Sequence, residues 1–263
     1  MPILRVPLLV VLFALGAMYI PAQNLGSLEV AGRVKIPGQK EQFKLKRKRF
    51  YLFRGGLSAN KALIDRLKTA EFTSRDCFYC QMKASPEYIA WLKAQDCESP
   101  YCRRITADDT AKVPEFQAAY QKSLKQFGGK PAIAMGWLTT NLAPSLRDGF
   151  YRQRKSLLDT ILGGVKPEQS SMTDSVSVFA IFIDIPLKAA ETGGKSTETF
   201  LISNLVPFEI GSKSYLWACE TEIGSNKKAK LQLLVPEDGK PARKCEVIIK
   251  DLPVCTAGSC SQK

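Results

Sequence analysis

The chain has 263 residues, of which 45% are apolar and 24% are charged. This composition is typical of globular proteins and excludes wholesale disorder or a fibrous repeat. The sequence contains no histidine, which excludes a Ser-His-Asp or Cys-His nucleophile, a histidine-ligated metal and a CxxCH haem site, because each requires an imidazole. The 38 Lys and Arg against 25 Asp and Glu give a formal net charge of +13, which favours acidic partners or surfaces.

The N-terminus has the pattern of a secretory signal peptide. A single positive charge, Arg5, precedes a charge-free apolar run over residues 6–20, and Pro21 and Ala22 follow. The pattern predicts a signal peptide over residues 1–22 and a mature chain that is periplasmic or extracellular. The alternative is an uncleaved signal that anchors the protein in the membrane, although the run is short for a bilayer span.

Two strands are predicted next. Apolar and charged residues alternate over residues 28–36, and a Pro-Gly pair ends the alternation. A second strand is predicted from about Phe43 to Phe53, where two glycines follow. Both segments have the period of two that is typical of half-buried strands.

Residues 57–165 have helical periodicity instead. Ser58 is predicted to cap one helix, Ser85 followed by Pro86 begins another, and Thr106 opens a capping box with an aspartate three residues later. A Gly-Gly pair at 163–164 ends the last predicted helix.

From Ser175 the period returns to two. Residues 176–185 are apolar on both faces, which predicts a strand in the centre of a sheet. Further strands are predicted near residues 198–208, 214–223, 229–235 and 243–250.

The order of these segments predicts an α+β protein. Two isolated strands cannot bury enough surface alone, so we expect them to pair with the later strands in one antiparallel β-sandwich, immunoglobulin-like or transthyretin-like, with a disulfide-containing helical insertion. The predicted bounds are 1–22 for the signal peptide, 23–56 for the first strands, 57–165 for the insertion, and 166–263 for the remaining strands and the C-terminal tail.

The first two strands also carry a family resemblance. The segments LEVAGRVKIPG and RFYLFRGG resemble the opening of carboxypeptidase regulatory-like (transthyretin-like) domains of secreted bacterial proteins. Such domains are typically accessory β-sandwiches without enzymatic activity, so the resemblance implies a sandwich fold and a non-enzymatic role.

The eight cysteines are Cys77, Cys80, Cys97, Cys102, Cys219, Cys245, Cys255 and Cys260. An even number in an exported chain predicts disulfides. Cys219 and Cys245 each lie on the apolar parity of a predicted strand, close to Trp217, which predicts a bridge between them. Cys255 and Cys260 are then left to pair near the C-terminus.

The other four cysteines flank a predicted helix near residues 86–95. Two bridges are expected there, either nested (Cys77–Cys102 and Cys80–Cys97) or parallel (Cys77–Cys97 and Cys80–Cys102). The spacing also allows a four-thiolate zinc site, or a redox-active pair at Cys77 and Cys80. Export favours disulfides over zinc, and no thioredoxin-like βαβ pattern precedes the CxxC motif.

Two motifs resemble catalytic ones without the required context. Residues 189–196 fit a relaxed phosphate-loop pattern, but the following residues predict a strand where that site needs a helix. Ser58 and Lys61 fit the SxxK pattern of serine acyl-enzymes without its partner motifs. No catalytic residue, metal or cofactor is therefore assigned, and an enzymatic role is not favoured.

A run of basic residues is the candidate binding feature. Lys44, Lys46, Arg47, Lys48 and Arg49 fall within six residues, and the three lysines would share one face of a strand. The lysines either blunt a solvated edge strand or form an anion-binding strip for envelope polymers or lipid headgroups. Nucleic acid is not expected, because the chain is exported and has no aromatic-rich binding motif.

The leading interpretation is an exported, disulfide-stabilised, non-enzymatic protein that binds or scaffolds at the cell envelope. One alternative is a periplasmic thiol–disulfide or zinc protein that uses Cys77, Cys80, Cys97 and Cys102. The other is a hydrolase that depends on carboxylates.

Overall fold

The computed structural model describes residues 24–188, 196–236, 244–253 and 255. The predicted signal peptide, the glycine-rich segment 189–195 and Cys260 lie outside the described residues.

The described residues form a β region and a helical block. The strands are β1 (Leu25–Ala31), β2 (Arg33–Lys35), β3 (Gln42–Lys44), β4 (Arg49–Arg54), β5 (Gln169–Met172), β6 (Phe179–Pro186), β7 (Thr197–Ser203), β8 (Phe208–Ile210), β9 (Lys213–Gly224), β10 (Lys228–Gln232) and β11 (Cys245–Asp251). The helices are α1 (Lys61–Thr69), α2 (Arg75–Gln81), α3 (Pro86–Ala94), α4 (Ala107–Lys112), α5 (Pro114–Gln126), α6 (Pro131–Asn141) and α7 (Pro144–Leu162). The predicted α+β class is confirmed.

The strands form open sheets. The largest has the order β11-β9-β7-β4-β5, with β8 paired to β9, the second has the order β10-β1-β6, and β2 pairs with β3. All of these pairs are antiparallel except β1 with β10, which is parallel. Strands that precede the helices pair with strands that follow them, as the sequence predicts: Leu52 lies opposite Ile202, and Val30 lies opposite Ala180.

The strand predictions differ from the structure at several points. The first predicted strand is divided at Gly32, where a Cβ would come within 3.1 Å of Val178 and Thr173. β5 was not predicted, because its sequence QSSM lacks an apolar pattern. β6 is an edge strand and not a central one, since Ile181 and Ile183 on one face are 51% and 60% exposed.

The two larger sheets share one apolar core. It includes Leu28 of β1, Phe182 of β6, Phe50 of β4, Phe200 of β7 and Trp217 of β9, each almost fully buried. Alternation along the strands turns one set of side chains toward this core. The other set faces the helices in the six-stranded sheet and solvent in β6.

Helices α1 and α7 cover the other face of the six-stranded sheet. Leu67 of α1 and Ile161 of α7 pack with Leu201 and Leu216 of the sheet. This contact holds the helical block against the strands, and it places the solvent-facing side of α7 beside β4.

The rest of the helical block has an aromatic core. Tyr79, Tyr88, Trp91, Phe116 and Phe150 are buried together, and the rings of Trp91 and Phe116 meet edge to face with centroids 4.9 Å apart. Such edge-to-face pairs add to the stabilisation that comes from burying the rings.

Three disulfides join described residues. The predicted Cys219–Cys245 bridge is confirmed, and these residues lie directly opposite each other on β9 and β11. Such bridges indicate an oxidising compartment, periplasmic or extracellular. None of the helices in the described ranges is long and apolar enough to cross a lipid bilayer.

The other predicted disulfide pairings are wrong. Cys77 is bonded to Cys255 and Cys97 to Cys102, with Cα–Cα distances of 5.1 and 5.6 Å. Thus neither the nested nor the parallel arrangement forms, and Cys255 does not pair with Cys260. The cause is tertiary, because the chain after β11 runs back to the N-terminal end of α2. Cys80 is also disulfide-bonded.

Candidate anion-binding cleft

The predicted basic strand is interrupted by a turn. Residues 45–48 form this basic turn, between the end of β3 and the start of β4. Lys44 and Lys46 are exposed, but Lys48 is buried, with 7% of its surface exposed. The three lysines therefore do not share one solvent-facing side, and the prediction of a continuous basic strip is wrong in its geometry.

Thr173, which follows the helical block in the sequence, fixes the shape of the basic turn. Its buried hydroxyl donates to the carbonyl of Leu45 and accepts the N–H of Lys48 at 2.9 Å. The N–H of Arg47 donates to the carbonyl of Thr173 at 3.1 Å. Arg47 itself has a φ of 55°, in the left-handed region. Such a backbone needs support from its surroundings, which Thr173 supplies.

Lys48 joins the turn to the helical block. Its ammonium Nζ lies 3.6 Å from Oε1 of Glu98 and 3.4 Å from Oδ2 of Asp96, and 5.8 Å from the ring centre of Phe208. A buried ammonium needs such partners, because an unpaired charge away from water is costly. Lys48 therefore acts as an anchor, and is not available as a free binding residue.

Glu98 also pairs with Arg154 of α7, whose Nη1 lies 3.4 Å from Oε1. Burial alone would raise the pKa of Glu98, but the charges of Arg154 and Lys48 outweigh this effect and lower it. The carboxylate is therefore ionised at neutral pH, and it offsets part of the positive charge around it.

The Cys97–Cys102 bridge shapes the loop that carries Glu98. It closes a loop of sequence separation 5, and the carbonyl of Cys102 accepts a hydrogen bond from Nη1 of Arg47 at 2.6 Å. Disulfide, loop and basic turn thus form one connected unit. Cys97 and Cys102 therefore have a structural role, at the contact between the β region and the helical block.

A cleft of about 270 Å³ lies between this unit, β4 and α7, and we call it the basic cleft. Its lining includes the five cations Arg47, Lys48, Arg49, Arg154 and Lys155, the rings of Tyr51, Tyr151 and Phe208, and the carboxylate of Glu98. Among the described lining residues, Glu98 is the only acid. The cleft therefore has the charge that favours an anionic group.

The exposed cations of the basic cleft are Arg47 of the basic turn, Arg49 of β4 and Lys155 of α7. Arg49 at the start of β4 is exposed, with Nη1 3.1 Å from the hydroxyl of Ser170. Lys155 of α7 is exposed as well. Tyr151, one turn before Lys155, is 69% exposed, and burial raises the pKa of Tyr51 despite the nearby Arg49. The phenol of Tyr51 is therefore neutral at physiological pH, and both rings add aromatic surface beside the charges.

A larger cavity of about 550 Å³ lies beside the Cys77–Cys255 bridge. Its lining holds three acids and two bases. Asp76 pairs with Arg75 at 2.9 Å and with Lys93 at 3.5 Å, and Glu209 accepts the backbone N–H of Arg75 at 2.8 Å. Burial raises the pKa of Glu209. Because acids outnumber bases in its lining, this cavity attracts an anion less than the basic cleft does.

The structure also bears on the alternative sites. Cys77 is bonded to Cys255 and Cys97 to Cys102, so the four thiolates of the zinc alternative are not available together. For the redox alternative, Cys77 and Cys80 are not bridged to each other. Strand β7 begins at Thr197, directly after the residues of the phosphate-loop pattern, as predicted. Asn60, and not Ser58, is the N-cap of α1.

Sequence reasoning found the residues of the basic turn but missed Arg154, Lys155 and Glu98. The one available indication was the cluster of Arg152, Arg154 and Lys155 in α7, which is also typical of an ordinary solvated helix face. Only the packing of α7 beside β4 brings these residues to the turn. Comparison of the chain with family models, curated proteins and solved structures finds no match.

Proposed function

We propose that this chain is an exported, non-enzymatic binding protein of the cell envelope that holds acidic groups of an anionic polymer in the basic cleft. One observation carries the proposal: among the described lining residues, five cations and one carboxylate surround the same cleft. A field of one sign in a concave surface concentrates counter-ions and ligands of the opposite charge.

The ligand chemistry follows from the accessible groups. Arg49 presents a planar guanidinium that binds carboxylate, sulfate or phosphate through two donors, and Lys155 adds a point charge. Tyr51 and Tyr151 present aromatic faces with polar tips, which suits a ligand with both apolar and hydroxyl-bearing surfaces. An acidic polysaccharide has this combination of groups.

The same acidic groups occur on lipid headgroups, so the experiment has two arms. Binding of the mature chain to alginate, with dextran as the neutral comparison, is measured by calorimetry at several salt concentrations. Binding to vesicles that contain phosphatidylglycerol forms the second arm. If the cleft takes a polymer, changes in the cleft weaken alginate binding and leave vesicle binding as it was.

The matched variants are Arg49→Gln/Lys155→Gln in the cleft and Lys35→Gln/Lys40→Gln elsewhere. Each removes two exposed cations, so the change in net charge is equal. The cleft variant is expected to bind alginate about tenfold more weakly because two charge-assisted contacts are lost, and the control is expected to change little. Equal losses in both variants would mean that net charge alone drives binding, and would refute the cleft.

We further propose that the two larger sheets form a β-sandwich of the transthyretin-like type suggested by the segments at 28–38 and 49–56. The apolar core shared by Leu28, Phe182 and Trp217 supports this arrangement. The parallel pairing of β1 with β10 is a local departure from an all-antiparallel sandwich. In this view the strands provide a rigid support, and the inserted helices provide one wall of the cleft.

A further inference from the structure

Helices α5 and α6 form a hairpin that exposes an uncharged helix face. The exposed residues of α6 are Pro131, Ala132, Ile133, Gly136, Trp137 and Thr140. Ala134 and Leu138, on the opposite face, are fully buried. Helices at the surface of globular proteins normally put polar residues on the outer face. The exposed apolar side chains of α6 are therefore not needed for packing in the core of the helical block.

Large side chains dominate this face. Trp137 is 49% exposed and Ile133 is 42% exposed. Phe127, in the loop between the helices, packs against Trp137 in a tilted arrangement with ring centroids 5.6 Å apart. In contrast, Trp91 and Trp217 are 8% and 0% exposed, so Trp137 is the tryptophan of this chain that meets solvent.

From Phe116 to Leu146 every charged residue is a lysine: Lys122, Lys125 and Lys130. Glu115, in the first turn of α5, is held by hydrogen bonds from Ser85. The three lysines are exposed, and none of them has an ion pair among the described residues. The apolar face is therefore accompanied by positive charge without acidic compensation.

We propose that the α5–α6 hairpin docks on an anionic lipid surface, with Trp137 and Ile133 inserted at the level of the headgroups. A helix with Trp and aliphatic residues on one side and lysines beside them is typical of interfacial membrane binding. Charge complementarity selects the lipid, because lysines close to an anionic bilayer each contribute to adsorption. This inference does not depend on the basic cleft.

Tryptophan fluorescence of the mature protein tests the insertion. Vesicles of phosphatidylcholine with phosphatidylglycerol are compared with vesicles of phosphatidylcholine alone. Anionic vesicles are expected to shift the emission to the blue, and neutral vesicles are not. Because Trp91 and Trp217 are already buried, the shift reports Trp137. The variant Trp137→Phe is expected to sediment with anionic vesicles but to lose the shift.

Two exposed apolar pairs provide a matched comparison. Ile133→Ser/Trp137→Ser is expected to weaken sedimentation with anionic vesicles by about tenfold or more, because binding scales with the apolar area inserted. Ile181→Ser/Ile183→Ser removes a similarly exposed pair from β6 and is expected to bind as the parent does. Circular dichroism confirms that both variants are folded.

The lysines are tested in the same way. Exchange of Lys122, Lys125 and Lys130 for Gln is expected to weaken anionic-vesicle binding by about fivefold per residue. Exchange of the exposed Lys35, Lys40 and Lys83 for Gln is the charge-matched control. Gly136→Leu adds apolar surface where a new Cβ meets open space, and is expected to strengthen binding about threefold.

The proposal is overturned if the parent does not bind anionic vesicles, or if it binds them without a fluorescence shift. It is also overturned if the hairpin and control variants bind equally well. The hairpin variants are expected to keep parental affinity for alginate. The cleft proposal is therefore tested by alginate binding, and the hairpin proposal is tested separately by vesicle binding and tryptophan fluorescence.

Discussion

The β region and the helical block are stabilised in different ways. The β core consists of aliphatic and aromatic side chains from two sheets, placed there by simple alternation along the strands. The helical block encloses a charged group: Asp109 is 9% exposed and accepts hydrogen bonds from Trp91 Nε1 at 2.8 Å and from both Nη atoms of Arg103 at 2.7 and 2.9 Å. The two regions should therefore respond differently to mutation and to pH.

The network around Asp109 also organises the local chain. Its carboxylate accepts the N–H of Thr106 at 2.8 Å, completing the capping box of α4, and the guanidinium of Arg103 lies 4.5 Å from the ring centre of Trp91. Burial alone would raise the pKa of Asp109, but hydrogen bonds from Arg103, Thr106 and Trp91 lower it well below the usual value. The ionised carboxylate thus joins the start of α4 to the aromatic core.

The largest effect is expected in the β region. Phe182→Ala removes a side chain that is 1% exposed and leaves a cavity between the sheets, which costs about 4 kcal/mol of unfolding free energy. Ile181→Ala, the neighbouring change on the exposed face, is expected to cost about 0.5 kcal/mol. Denaturant unfolding measures both. Similar losses would mean that β6 buries a different face.

The second-largest loss of stability is expected in the hydrogen-bond network around Asp109. Asp109→Ala leaves the buried side of Arg103 without its partner and is expected to cost about 3 kcal/mol at neutral pH. Asp108→Ala removes an exposed carboxylate paired with Lys112 and is expected to cost about 0.5 kcal/mol. The same unfolding experiment compares these two neighbours.

The pH dependence separates the two regions. The pKa of Asp109 is lowered in the folded protein, so its contribution is present above the unfolded pKa of about 3.9 and is lost as pH falls below that value. The cost of Asp109→Ala should therefore shrink in acid, whereas the cost of Phe182→Ala should stay constant. A constant cost for Asp109→Ala would contradict the ionised network.

The sequence predicts the β region better than the contacts between regions. The parity of Cys219 and Cys245 is a local property of two strands, and it was enough to predict their bridge. The Cys77–Cys255 bridge depends on where the chain goes after β11, with 178 residues between its cysteines. No periodicity in the sequence contains that information.

The basic turn shows the same limit within the site. The sequence identifies the charges of the turn but predicts a continuous strand through them. The turn is held by hydrogen bonds from Thr173, which lies 125 residues from Lys48, and the sequence gives no sign of these bonds. Burial of Lys48 then follows from Asp96 and Glu98, which the Cys97–Cys102 loop supplies. Residue types were therefore predictable, whereas their accessibility was set by tertiary contacts.

Glu98 offers the most direct test of the basic cleft, because its removal should improve binding. Glu98→Gln takes away the acid among the described lining residues while Asp96 still pairs with Lys48. Affinity for alginate at low salt is expected to rise about threefold. Glu87→Gln, which alters net charge equally at an exposed site on α3, is expected to change it much less. Unchanged or weaker alginate binding by Glu98→Gln would contradict the proposal that the cleft is the binding site.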